Sequence, residues 1–252
     1  MEKQEKLIKT RNRVRQHGEV FTPVKTVNEI LNMEGLKEKI EDIRATILEP
    51  AVGEGIFLVE ILKRRFANLL KKSSNIVEFE NNALISLSTI YGIELLEDNV
   101  KKCGINIYEC FYYYYNKAIY RFDSKPKKKV LSSAKTIISS NIVQGNFLTR
   151  KTANNKPIIL SEWKEVNNTT NEKNIKVIRT EYTLEEIFDE KENELGNVFS
   201  NFREVKKEVK QLSLFEEILD LDEEKEKNDI FYKYVECSIC NVYKEEMEKY
   251  ER

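Results

Sequence analysis

Three polar residues, each at the end of a short apolar run, carry the clearest chemical signal in this chain. Glu49 closes "ATILE", Glu94 closes "TIYGIE", and Asn146 follows Gly145 in "SNIVQGNFL". Between Glu49 and the next helix-patterned stretch stand Pro50, Ala51, Gly53 and Gly55. A strand, a glycine turn and a helix start let backbone N–H groups approach a ligand closely. A carboxylate directly before the turn suits a ligand that carries a cation. A second carboxylate suits a ribose diol, and an amide suits an adenine edge. The turn departs from the dinucleotide pattern G-x-G-x-x-G/A, because Leu58 occupies its third position.

Such groups act together only if their strands end side by side. Phe57, Leu58, Ile61, Leu62 and Phe66 recur on one helical face after the turn, so a strand–turn–helix unit is expected there. Strand–helix alternation over the three runs predicts an α/β fold with a parallel sheet and ligand groups at the strand C-termini. Five of the eight glycines (Gly18, Gly53, Gly55, Gly92 and Gly145) fall in these segments or in "HGEVFTP" at 17–23. One such cationic ligand is S-adenosylmethionine, whose ammonium group would meet Glu49.

"HGEVFTP", "LEPAVGEGIFL" (48–58), "IYGIE" and "VQGNFL", in that order, resemble the adenine-N6 DNA methyltransferases of restriction–modification systems. The likeness is to the subgroup whose motif X precedes motifs I, II and III, and it covers about residues 10–150. It implies a Rossmann-like, S-adenosylmethionine-dependent methyltransferase sheet, truncated here, and DNA as a partner. By this resemblance Phe21, Thr22 and Pro23 would flank the cofactor, and Glu49, Ala51, Gly53 and Gly55 would hold its methionine end. Glu94 would take the ribose, and Asn146, with Phe147 beside it, the adenine. The family usually has aspartate where Asn146 stands. An amide still accepts that hydrogen bond, without charge assistance.

The family's next motif is Asp/Asn/Ser-Pro-Pro-aromatic, which accepts hydrogen bonds from the target amine and stacks on the flipped base. The four prolines are Pro23, Pro50, Pro126 and Pro157, no two adjacent, so this tetrapeptide is absent. In its place stands "KPIILSEWKEV" (156–166). Ser161 and Trp163 are the weak candidates for a remnant catalytic pair. The stronger reading makes Trp163 ordinary packing in a β-meander that continues through "NIKVIRTEYT". If the chain is active, the resemblance implies site-specific adenine-N6 methylation of DNA. An active chain would use an unusual amine-activating loop or one lent by a partner subunit. The alternative is a non-catalytic module for DNA or clamp recognition, or a subunit of a defence complex.

Charge divides the chain. Residues 1–150 hold 25 basic against 18 acidic side chains, and residues 151–252 hold 17 against 25. Only the first part suits a polyanion. The expected division is a methyltransferase-like domain over 1–155, then the meander and a charged helical C-terminal part over 156–252. Thr183 carries an N-cap signature, and Phe231, Val235, Ile239, Val242 and Met247 predict a docked terminal helix. Between these, "QLSLF" (211–215) resembles the peptide by which bacterial replication and repair proteins bind the DNA polymerase sliding clamp, through Gln211, Leu212, Leu214 and Phe215.

A charged N-terminus and no long apolar run lead to the expectation of a cytoplasmic protein with no membrane contact. "CSIC" (237–240) lacks a second pair and reads as thiols, with no metal expected. "FYYYYNKAIYRFDSKPKKK" (111–129) mixes aromatic with basic residues, as a nucleic-acid surface does, although Phe111, Tyr115 and Ile119 also follow the spacing of a core helix face.

Overall fold

The computed structural model describes residues 9–17, 19–166, 174–199 and 231–250. The clamp-like peptide at Gln211–Phe215 lies outside the described residues. Over residues 9–145 the order is α1 (Arg11–His17), α2 (Val24–Leu31), α3 (Leu36–Glu41), β1 (Ile47–Glu49), α4 (Ile56–Lys72), α5 (Ile76–Ser88), β2 (Ile90–Glu94), α6 (Glu97–Arg121), α7 (Lys128–Asn141) and β3 (Ile142–Gln144). The strands form a parallel sheet in the order β1-β2-β3, with Glu49 opposite Gly92 and Glu94 opposite Gln144. Their C-terminal ends therefore share one edge, as strand–helix alternation requires. Among the described residues no strand pairs with the outer edge of β1.

Helix α4 buries Leu58, Ile61, Leu62 and Phe66 of the face that its spacing foretells, and Leu69 with them. Phe57, expected on that face, is only half-buried and lines a cleft. Phe66 meets Phe111 of α6 edge-on, and Phe111 stacks on Tyr115, with ring centroids 6.0 and 5.6 Å apart. These rings, with Phe79 and Leu84 of α5, form the centre of the core. Aromatic pairs in this geometry stabilise by about 0.5–1.5 kcal/mol beyond their buried area. Asn75 starts α5 by accepting from the N–H groups of Val77 and Glu78.

Arg65 is fully buried within this core. Its guanidinium donates to the carbonyls of Ile40 (2.7 Å) and Ala45 (2.9 Å) and to Thr89 Oγ1 (2.9 Å). One side chain thus ties α3, the entry to β1 and the end of α5. Burial pushes its pKa down to about 10, so it remains charged at neutral pH.

Residues 159–250 add short antiparallel sheets. β4 (Ile159–Glu165) pairs with β5 (Lys176–Thr183), Trp163 opposite Arg179, and β7 (Cys237–Ser238) joins β5. The meander read from the sequence is present, and Trp163, Val177, Ile239 and Val242 share the main core with Phe66. Helix α8 (Leu184–Phe188) opens with the capping box that Thr183 signalled: its side chain accepts from the N–H of Glu186, whose carboxylate accepts from the N–H of Thr183.

The docked helix expected over 229–250 is not what forms in its described part, 231–250. β6 (Phe231–Tyr234) pairs with β8 (Met247–Tyr250), and a 3-10 turn (Ile239–Lys244) lies between them. The helical spacing survives only where Ile239 and Val242 are buried, within that single turn. The aromatic run at 231–234 favours a paired strand, and Glu245, at φ +49°, breaks the backbone before β8. The terminal helix is therefore corrected to short strands around one 3-10 turn over 231–250. The helix expected from Thr183 is α8, and residues 200–230 lie outside the described residues. No helix among the described residues is long and apolar enough to cross a membrane.

Candidate functional site

A cleft of about 840 Å³ opens beside the C-terminal end of β1 and is lined by residues of α4 and α6. One wall is Phe21 and Thr22, another is Glu49, Ala51 and Gly53, and the floor continues along Phe57 of α4 to Tyr113 and Tyr114 of α6. Ligand clefts usually measure about 300–1,000 Å³.

The glycine turn has a defined geometry. Gly53 and Gly55 sit at φ +55° and +87°, where side chains are strained. The N–H of Gly55 donates to Val52 O (2.8 Å), and Gly55 then caps α4. A Cβ on Gly55 would lie 2.6 Å from Cys103 Sγ, so this glycine lets α6 pack against the turn. The ring of Phe21 lies 3.7 Å from where a Cβ on Gly53 would stand. Gly55→Ala is expected to lower stability by about 2–4 kcal/mol, through left-handed backbone cost plus overpacking. Cys103→Ala in the same chain should recover only the steric part; equilibrium urea unfolding of the two variants measures both.

Glu49 is half-buried on the cleft wall, and among the described residues no basic side chain pairs with it. Burial raises its pKa, partly offset by the hydrogen bond from the backbone of Ala51. Glu94 plays a structural part at once: its carboxylate accepts from the N–H of Gly53 (2.9 Å) and of Leu96 (3.0 Å), joining the turn to the end of β2. The two carboxylates therefore flank one turn.

A polar clamp holds the 19–23 segment in place. Glu19, nearly buried, accepts from Asn99 Nδ2 (2.7 Å) and from the guanidinium of Arg13. Arg13 also pairs with Asp98 (2.8 Å), and Lys9 bridges Asp98 (3.1 Å) and Glu54 (2.9 Å). Pro23 then starts α2, its carbonyl accepting from Val27 (3.0 Å). Hydrogen bonds from Arg13 pull the carboxyls of Glu19 and Asp98 down, that of Asp98 to about 2. Both folded pKa values lie below their unfolded ones, near 4. The clamp's contribution is thus complete above pH ~4 and is lost as pH falls toward 2. Asp98→Asn should be the less stable protein at pH 7, with the gap to wild type narrowing below pH ~4. Urea midpoints at pH 7, 5, 4 and 3 follow that gap.

Of the residues read from the sequence, Pro23, Gly55 and Glu94 stand behind the cleft lining, and others lie elsewhere. The Oδ1 of Asn146 accepts from the N–H groups of Leu148 (2.9 Å) and Thr149 (3.2 Å), a local turn, and Asn146 does not line the cleft. Phe147 packs edge-on against Phe188 with ring centroids 5.7 Å apart. Ser161 is buried in β4, its hydroxyl accepting from Arg179 Nε (3.0 Å). The indole of Trp163 donates to Asn141 Oδ1 (3.1 Å), and its face lies under the Arg179 guanidinium. Neither side chain faces the cleft, so they form no amine-binding pair with it.

The clamp residues Lys9, Arg13, Glu19, Asp98 and Asn99 were missed from sequence. Their partners lie up to 90 positions apart, and no local spacing signals such a pair. Cys240 is buried, its thiol donating to Asn81 Oδ1 (3.4 Å), and burial pushes its pKa up to about 11. No family model, curated protein or solved structure matches this chain.

Proposed function

We propose that the chain binds S-adenosylmethionine in the cleft beside the glycine turn, as a protein of the adenine-N6 DNA methyltransferase type. The observation that carries this reading is Glu49. It is a half-buried carboxylate beside Gly53 and lines the same cleft as Phe21, and among the described residues it has no basic partner. A carboxylate so placed gains from a ligand that brings its own cation. Glu49 would hold the amino group of the ligand's methionine end, Ala51 and Gly53 would let that end approach the backbone, and Phe21 and Thr22 would pack over it. Glu94 lies outside the cleft lining with both oxygens already accepting, from the N–H groups of Gly53 and Leu96, so its part in this reading is to hold the turn that meets the ligand. Asn146 takes no part, its acceptor being used in its own turn.

When bound, this ligand supplies an electrophilic methyl group on a sulfonium. The protein's share of the chemistry is binding and orientation. With Ser161 and Trp163 engaged inside β4, neither is at the cleft to activate an amine, and among the described residues no other loop takes their place there. That observation favours a cofactor-binding subunit, in a DNA-modification or defence complex, over a self-sufficient enzyme. DNA and a loop-bearing partner subunit are the partners this reading requires.

Equilibrium dialysis of the full chain with labelled S-adenosylmethionine tests binding, and S-adenosylhomocysteine should compete. Retention no greater than that of labelled NAD would remove the proposal. Transfer of labelled methyl groups to DNA, by the chain alone and with a partner subunit, then separates enzyme from module.

A further inference from the structure

We infer that the outward face of α6 binds single-stranded nucleic acid, with bases stacking on Tyr112, Tyr113 and Tyr120 and phosphates meeting Lys102, Lys117 and Lys135. Five consecutive aromatic residues, Phe111 to Tyr115, are more than the core uses. Phe111 and Tyr115 are buried, while Tyr112, Tyr113 and Tyr120 are 45%, 54% and 91% exposed. Exposed aromatics grouped on one helix face mark an interaction surface more often than chance scatter.

The face is already organised for planar, anionic ligands. Tyr108 and Tyr112 stack with ring planes 17° apart. The ammonium of Lys135 lies 5.2 Å above the Tyr108 ring, and that of Lys117 lies 4.5 Å above Tyr113. Cations beside exposed rings are the pairing that single-stranded nucleic acids use, the backbone meeting charge and each base meeting a ring.

Charge supports the same occupant. Residues 97–135 hold nine lysines and arginines against four carboxylates. Of those four, Asp98 is paired with Arg13 and Glu97 with Lys101, while among the basic residues Lys127 is paired with Glu80. Glu109 is the only carboxylate between residues 99 and 122. This local surplus stands out in a chain of net charge −1. Tyr113 also lies at the far end of the cleft that holds Glu49, so a strand on α6 would run up to that cleft. The surface rests on α6 and α7, with Tyr113 shared with the cleft, and its test reads DNA binding with no cofactor added, so its failure is distinct from failure of cofactor binding.

The experiment is fluorescence anisotropy of a labelled 20-mer of deoxythymidine with the full chain at low and moderate salt. Binding should weaken steeply with salt. The triple change Tyr112→Ala, Tyr113→Ala and Tyr120→Ala should weaken it by about tenfold or more, since each lost stack is felt. Lys117→Gln with Lys135→Gln should flatten the salt dependence. Because these side chains lie outside the core, melting temperatures should stay at the wild-type value, which separates lost contacts from lost folding. No binding, or binding indifferent to the tyrosine changes, would overturn the inference. So would equal, tyrosine-independent affinity for a 20-base-pair duplex, or self-association that the triple change abolishes without any effect on DNA.

Discussion

Glu49→Ala is expected to weaken S-adenosylmethionine binding by roughly ten- to 150-fold while the fold stays intact. A hydrogen bond between charged groups contributes about 1.5–3 kcal/mol, which converts to that range. Glu49→Gln keeps the size and the acceptor but removes the charge, so it should fall between wild type and alanine. Folding should respond in the opposite direction. Burial raises the folded pKa of Glu49, so its ionised form opposes folding at neutral pH. The variants should therefore unfold at the same or higher urea concentration than wild type at pH 7. A loss of affinity without a loss of stability would separate a ligand-holding carboxylate from a structural one. Calorimetric titration alongside urea unfolding reads both quantities.

Arg65→Met should produce the largest loss of stability, about 3–5 kcal/mol. The side chain is fully buried and satisfies the carbonyls of Ile40 and Ala45 and the hydroxyl of Thr89. Methionine fills much of the same space but leaves those acceptors without a donor, and each orphaned buried group costs about 1–3 kcal/mol. Arg65→Lys should recover only part of the loss, because one ammonium cannot reproduce the planar fork that reaches three elements. Thermal unfolding should register Arg65→Met as a drop of roughly 10 °C. Since Ala45 leads into β1, the variant also loosens the strand that presents Glu49. Its ligand affinity should fall with its stability, in contrast to Glu49→Ala.

The parts of this fold that are local in sequence could be read from it. "ATILE" and "TIYGIE" end in carboxylates because their strands end at a turn, and both carboxylates flank that turn. Leu58, Ile61, Leu62 and Phe66 show one helical face and bury it. Thr183 and Glu186 lie three positions apart, as a capping box needs, and they form one. Burial of Trp163 followed from the β-rich run around it.

The remainder depends on partners far away in the chain. Asn146 has the residue type for an adenine contact. In a turn, however, an asparagine carbonyl readily accepts from N–H groups two and three residues on, and here it does. The spacing of 231–247 satisfies a helix template, yet Phe231–Tyr234 finds a strand partner in Met247–Tyr250 and pairs with it instead. The clamp that sets Phe21 over Gly53 joins Arg13 to Asp98 and Glu19 to Asn99, and only the folded chain brings those residues together.

Backbone amide shifts of the isotope-labelled chain, followed while S-adenosylmethionine is added, test the central claim most directly. The account predicts that the largest changes fall on residues 20–22, 49–55 and 94–96, with the amide of Gly53 moving most because Glu94 holds it. Residues 231–250 should stay still. A spectrum unmoved at millimolar ligand, or one whose changes cluster away from the glycine turn, would contradict it.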